Sequence, residues 1–327
     1  VIVGFSVVIR THASATVGLG HLHRCLALAK ALAAGGARVE MWGEGTVAVE
    51  RAARAGFCAR AVDAGALPDH GESEVIIIDG YHYEAAFAAE ACRRARVVVT
   101  IEDWPLRGLP AHVVVDVGGV APASTPGDVP GAERLCGPRY ALLAEEYAPM
   151  PARQWADSIR GVLLTLGGVP DAARLAELTA AIRSTLPDAT IDLVLGPFAN
   201  ADRLAVDANV RVHRDLESLH AIMLASDVAI SAAGQTMLQL AATATPTIAL
   251  AVHDNQRAQL ATLTAAGAVI EARTGHPEDI VAALTTLRER ATRAQLGAVA
   301  RGVVDGGGAV RVAEVVRRRV RRTLAVA

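Results

Sequence analysis

The chain is poor in aromatic residues, which make up 3% of its 327 positions. Its cores must therefore be filled by Ala, Val, Leu and Ile, the usual content of parallel sheets covered by helices on both faces. Cysteine is also scarce. Cys25, Cys58, Cys92 and Cys136 form no C-x-x-C pair, which argues against a zinc site or a disulfide framework. Reduced thiols in a cytoplasmic setting fit this usage. Lysine is nearly absent: Lys30 stands alone and arginine carries the remaining positive charge. Net charge is −2, so the basic excess expected of a nucleic-acid-binding chain is missing. No apolar run reaches the roughly 18 residues of a membrane span. The opening VIVGFSVVIRTH reads as a buried strand rather than a signal peptide.

What is present is hydrophobic residue at 52%, enough for two cores, and a length that favours two domains. Strand and helix signals alternate in the first half. Strands are predicted over 1–10, 37–43, 74–81, 96–103 and 111–118, with helices over 21–35, 47–56 and 84–95. The strand segments are continuous Val/Ile runs, as in EVIIIDGY, and such runs mark a parallel sheet buried on both faces. A Pro/Gly/Ser/Thr-rich loop spans 121–132, and Pro149 to Trp155 is the candidate linker. The pattern then restarts. Strands are expected over 160–168, 190–196, 209–213, 227–234, 246–252 and 268–272, with helices over 171–185, 215–225, 235–243 and 254–266. The tail, 312–327, reads as a helix whose arginine cluster, Arg317 to Arg322, forms a solvated face; an anionic membrane surface is the alternative.

Candidate chemistry sits where strands feed helices. In the loop THASATVGLGHLHR, Gly18 and Gly20 permit a tight turn, and the helix behind them offers N–H groups to an anion. This is neither G-x-G-x-x-G nor a Walker A loop. His21 falls in the first turn of that helix, where the dipole disfavours an imidazolium, so it is a candidate general base. Asp79 and Tyr81 follow a buried strand; packing and helix capping are their plainer roles. Gly167 and Gly168 close the strand at 160–168 and could let backbone N–H groups approach a pyrophosphate. Gly234, Gln235 and Thr236 open a helix suited to phosphate, and Gln239 lies one turn on. Asn255 and Gln256, after strand 246–252, offer amides to sugar hydroxyls.

Two Rossmann-like halves in tandem make an α/β fold of the GT-B type, with parallel sheets facing an inter-domain cleft. The expected domains are 1–150, carrying the His21 loop, and 151–327, carrying the nucleotide site. The final helix is allowed to pack back on the first domain. The motifs in order resemble one GT-B family, the UDP-sugar hydrolase of pseudaminic acid biosynthesis, itself similar to the lipid I N-acetylglucosaminyltransferase. The resemblance rests on Arg10, the Gly18–His21 loop, Arg24-Cys25-Leu26, Asp79, Tyr81, Ile101-Glu102-Asp103, Cys136 to Leu143, Gly167-Gly168, Ala233-Gly234-x-Thr236, Asn255-Gln256 and Val304-Asp305-Gly306. The chain departs from the family pattern in having His12 for Asp, Ala144 for Arg and Gln239 for Glu. An amide at 239 can still bond hydroxyls, without a carboxylate's charge-assisted strength.

The resemblance implies hydrolysis of a UDP-linked deoxy amino-sugar with no metal or other cofactor. His21 would activate water, Tyr81 and Asn255 would line the sugar, and Arg10 and Asp79 would complete the substrate side. Gly168 and the 234–236 turn would hold UDP. Two alternatives stay open: a GT-B glycosyltransferase, and a nucleotide-sugar-binding protein without catalysis. The expected partner is a nucleotide-sugar, with no nucleic acid and no membrane contact. The oligomeric state is left open.

Overall fold

The computed structural model describes residues 4–103, 106–119, 127, 129–167, 172–199, 208–273 and 275–326. Gly168 and most of the 121–132 loop lie outside them. The chain divides into two units, Val1–Glu145 with Gly306–Ala327, and Glu146–Asp305.

In the first unit the order is β1 (Ser6–His12), α1 (Gly20–Ala34), β2 (Arg38–Glu44), α2 (Thr46–Arg54), β3 (Cys58–Ala61), β4 (Val75–Asp79), α3 (Ala85–Arg94), β5 (Val97–Glu102), β6 (Val113–Asp116) and β7 (Glu133–Cys136). The strands form one sheet in the order β3-β2-β1-β4-β5-β6-β7. Every pairing is parallel. The Val/Ile runs dictate this: β4 and β5 are buried at every position, which demands helices on both faces. One layer of that core joins Ile76, Ile78 and Val98 to Tyr83, Ala88 and Ala91.

The second unit runs β8 (Gly161–Thr165), α4 (Ala172–Thr185), β9 (Thr190–Leu195), β10 (Val210–Arg214), α5 (His220–Ala225), β11 (Val228–Ala232), α6 (Gln235–Ala242), β12 (Thr247–Leu250), α7 (Arg257–Ala265), β13 (Ile270–Glu271), α8 (Pro277–Leu287) and α9 (Arg290–Val303). Its six strands lie in the order β10-β9-β8-β11-β12-β13. Val162, Leu164, Ile191, Leu193, Ile230 and Ile248 supply the sheet side of its core. Helix α5 starts at His220 rather than near 215 because Asp215 takes a φ of 48°, a left-handed conformation that breaks a right-handed helix.

Residues 149–155, expected as a linker, fall in the second unit. The Arg153 guanidinium fixes them there, donating to Met223 O, Thr243 O, Thr245 Oγ1 and Ser226 O. The last helix, α10 (Gly308–Val326), belongs to the first unit and packs on α1. Val312, Ala313 and Val316 are fully buried along it. Part of its arginine cluster is engaged: Arg318 and Arg319 both donate to Glu133 of β7. Among the described residues, no helix is long and apolar enough to cross a membrane.

Candidate functional site

In a doubly wound sheet, the loops beyond the carboxyl ends of the strands part where the strand order reverses, and ligands bind there. In the first unit the reversal lies between β1 and β4. The loop after β1 leads to α1 and His21, while β4 ends at Asp79. The loop closes on itself: Gly18 N donates to Ser14 O at 2.8 Å. The turn needs φ of 78° at position 18, which only glycine adopts without strain.

His21 Nδ1 lies 2.6 Å from Asp79 Oδ1. The histidine is 4% exposed and the aspartate 0%. A carboxylate accepts only, so in the neutral ring Nδ1 carries the proton and donates it to Asp79. Nε2 is left with the lone pair that a general base uses. Arg24 Nη2 also comes within 3.0 Å of Nδ1, but two donors do not bond. The guanidinium instead clasps Asp79, with Nε to Oδ2 at 2.7 Å and Nη2 to Oδ1 at 2.6 Å. Its Nη1 donates to Asp103 Oδ1 at 2.9 Å, so Arg24 bridges two carboxylates. Asp103 Oδ2 accepts from the Tyr81 hydroxyl at 2.6 Å. The Tyr81 ring meets the His21 ring edge-on, 4.5 Å between centroids.

The electrostatics favour ionised carboxylates. Burial alone would raise the Asp79 pKa, but the Arg24 guanidinium and then His21 outweigh it and hold the group well below the usual carboxylate range. Asp103 follows the same pattern, with burial opposing and Arg24 prevailing. Burial works against the Arg24 charge too, and Asp103 and Asp79 reverse that, raising its pKa well above normal. The group is thus a fixed, fully charged support for one imidazole.

Two residues expected to meet substrate are placed otherwise. Arg10 is fully buried. It donates to Glu44 Oε1 at 2.8 Å and to the carbonyls of Asp63, Ala64 and Ala66, and packs on the Tyr83 and Phe87 rings. From there it braces the sheet edge and touches no solvent. Asp79 is equally buried, and its carboxylate oxygens face His21, Arg24 and Cys25. Gly20 is the first residue of α1, and a Cβ there would meet no atom within 4 Å, so the described fold does not itself require glycine at that position.

The second unit repeats the geometry. Its reversal lies between β8 and β11. Gly167, two residues beyond β8, takes φ of 75°; Gly168 lies outside the described residues. Gly234 caps α6, and no side chain caps that helix start. Gln235 and Thr236 form its first turn and Gln239 the next, all half-buried. Asn255 and Gln256 occupy a short 3₁₀ turn, Asp254–Gln256, after β12. The β11 and β12 turns are tied together. Gln256 Oε1 accepts from Val252 N at 2.9 Å, its Nε2 would lie 3.4 Å from a Cβ at 234, and Gln259 Nε2 donates to the carbonyls of Ala233 and Gly234. The structure therefore gathers His21, Asp79 and Tyr81 in the first unit, and Gly234, Gln235, Thr236, Gln239, Asn255 and Gln256 in the second.

Sequence reasoning gave no role to Arg24 or Asp103, although both fall in quoted motifs. Arg24 is one turn beyond His21, a spacing that puts both on one helix face and could have flagged it.

No protein-family model matches the chain, and no curated protein matches its sequence. Solved structures do match along nearly its whole length. MurG of Acinetobacter baumannii aligns with a TM-score of 0.67 at 16% identity, covering 96% of this chain and 99% of that one. The glycotransferase of kitacinnamycin gives 0.66 at 16% identity over 97% and 99%. LpCGTa, solved in complex with UDP, gives 0.65 at 14% identity over 97% and 99%. At these identities the likeness establishes the fold: two Rossmann-like domains of the GT-B type. The likeness bears out the GT-B type that the resemblance implied and does not show the hydrolase family.

Proposed function

We propose that the chain is a nucleotide-sugar-dependent glycosyltransferase, with His21 as general base in the first unit and the nucleotide diphosphate held by the second. The observation that carries the base assignment is the 2.6 Å contact between His21 Nδ1 and the buried Asp79 carboxylate, and the likeness to the kitacinnamycin glycotransferase favours transfer. An acceptor hydroxyl passes its proton to Nε2 as its oxygen attacks the anomeric carbon. The bond from that carbon to the diphosphate oxygen breaks on the opposite face, and the configuration inverts. Asp79 keeps the ring in the productive tautomer and stabilises the imidazolium that forms, as the acid of a hydrolytic triad does. Tyr81, 46% exposed beside the ring, is placed to border the acceptor or sugar. In the second unit the start of α6, which no side chain caps, and the Gly234–Thr236 turn suit a diphosphate, and Gln239 and Asn255 suit hydroxyls.

The same geometry serves hydrolysis if water takes the acceptor's place, and the order of the sequence motifs favours that second reading. The deciding measurement is UDP release from a panel of UDP-sugars, with and without hydroxyl-bearing acceptors. Transfer predicts near silence until an acceptor is added, and loss of about 10²–10⁴-fold in turnover for His21→Ala. Rapid acceptor-free release that the same substitution abolishes would replace transfer by hydrolysis. Full turnover in His21→Ala would remove the base assignment from both, and binding of UDP-sugars without release under any condition would leave a binding protein.

A further inference from the structure

A second cluster lies at the same edge of the first sheet, outside the His21 network. The parallel register sets His12, the last residue of β1, directly beside Glu44, the last residue of β2. His82 follows β4, the strand on the other side of β1. His12 Nδ1 lies 3.7 Å from Glu44 Oε2, His82 Nε2 lies 3.0 Å from the same oxygen, and all three ligand atoms fall within 4.8 Å of one another. We propose that His12, Glu44 and His82 form a binding site for a transition-metal dication of the Zn2+ or Co2+ class.

The spacing fits such an ion. Four-coordinate zinc with bonds of about 2.0–2.1 Å sets neighbouring ligand atoms roughly 3.3 Å apart, and 3.0 and 3.7 Å bracket that value. A plain His82–Glu44 hydrogen bond accounts for two members only. It leaves His12 Nδ1 buried and with no hydrogen-bond partner among the described residues, an arrangement that ordinarily costs stability. One ion bound by all three removes that orphan. The carboxylate is also held by neighbours, as metal ligands commonly are: Glu44 Oε1 accepts from Tyr83 OH at 2.6 Å and Arg10 Nη2 at 2.8 Å, and His82 Nε2 lies 3.0 Å from Oε1 as well as from Oε2. The Arg10 charge opposes a nearby cation, and the carbonyls of Asp63, Ala64 and Ala66 partly offset it. Two imidazole nitrogens and one carboxylate select borderline metals over Mg2+ and Ca2+, which want oxygen ligands. Three protein ligands leave a coordination position open. None of the three residues is given a role in transfer, and the test does not read turnover.

The full-length protein, stripped with a chelator, is titrated calorimetrically with Zn2+ alone, and separately with Mg2+. One Zn2+ per chain is expected, with no Mg2+ heat. His12→Asn and His82→Gln should each weaken Zn2+ binding by about 100-fold, the upper range for a perturbed metal shell. His213→Gln, a control in the second unit, should leave it unchanged. Co2+ should give visible bands of low-coordinate geometry that both site variants lose. Because His82 is partly exposed, its variant keeps the fold, as circular dichroism would verify. Zn2+ affinity unchanged in the two site variants, equal affinity for Mg2+, or no Zn2+ uptake would overturn the site.

Discussion

Asp79→Asn is the most exacting test of the reading that a buried carboxylate organises the first unit's site. The side chain keeps its shape but loses its charge and one acceptor. One carbonyl oxygen must then face donors from Arg24 Nε and Nη2, His21 Nδ1 and the Cys25 thiol, and the amide NH2 points at another donor. Breaking a buried ion pair from one side costs about 3–5 kcal/mol. Arg24 still holds Asp103, which places the expected cost near the lower end, about 3 kcal/mol. For a unit in the 150–250-residue class each kcal/mol moves the midpoint by about 2–4 °C, giving roughly 6–12 °C. The pH dependence follows from the direction of the shift. The native Asp79 pKa is depressed below the unfolded value of about 3.9. Its contribution is therefore complete at neutral pH and is lost as pH falls below about 4 toward the native pKa. Asparagine does not titrate, so the stability gap should hold from pH 7 to about 5 and then narrow, by up to about 1.4 kcal/mol per pH unit. Urea unfolding of wild type and variant, followed by indole fluorescence in a Trp155→Phe background, measures this. Trp155 lies in the second unit, and the buried Trp42 reports on the first. A gap below about 1 kcal/mol at pH 7, within the range of an ordinary hydrogen bond, or one that stays constant into acid, would refute the reasoning.

Tyr81→Phe removes one hydrogen bond, to Asp103, from a partly exposed ring. It should cost no more than about 0.5–1.5 kcal/mol of stability, while lowering transfer more than nucleotide binding; kinetics beside UDP calorimetry would show the split. Arg10→Met should destabilise by about 3 kcal/mol, the lower end for breaking a buried ion pair, because Glu44 loses its guanidinium but keeps Tyr83 and His82, while the carbonyls of Asp63, Ala64 and Ala66 lose their donor. Nucleotide affinity in the folded variant should be unchanged, and a selective loss of UDP binding would restore Arg10 to the ligand side.

The positions of most strands were legible because fully buried β-strands announce themselves as unbroken Val/Ile runs. The short edge strands β3 and β7 escaped because they carry little burial signal, CARA being mostly exposed. Helices α8 and α9 were passed over although Pro277, with Glu278 and Asp279 in the first turn, is a readable helix start. The His21 loop could be singled out because a histidine at a helix start after a glycine turn is local information. Asp79's true partner set was not local: it joins residues 55 and 58 positions apart. Arg10 misled for the same reason, since its burial depends on β2 and on carbonyls more than 50 positions away. The His12–Glu44–His82 cluster is invisible to spacing, because three separate strand ends create it.

The return of α10 to the first unit has a bearing on synthesis. Residues up to Glu145 leave the ribosome early, yet the helix that covers α1 emerges only after all of Glu146–Asp305. The middle of the chain can therefore mature as an autonomous body while the earlier segment waits, its α1 surface bare, for Val312, Ala313 and Val316. A stalled or prematurely ended transcript would yield one finished lobe and one that is aggregation-prone.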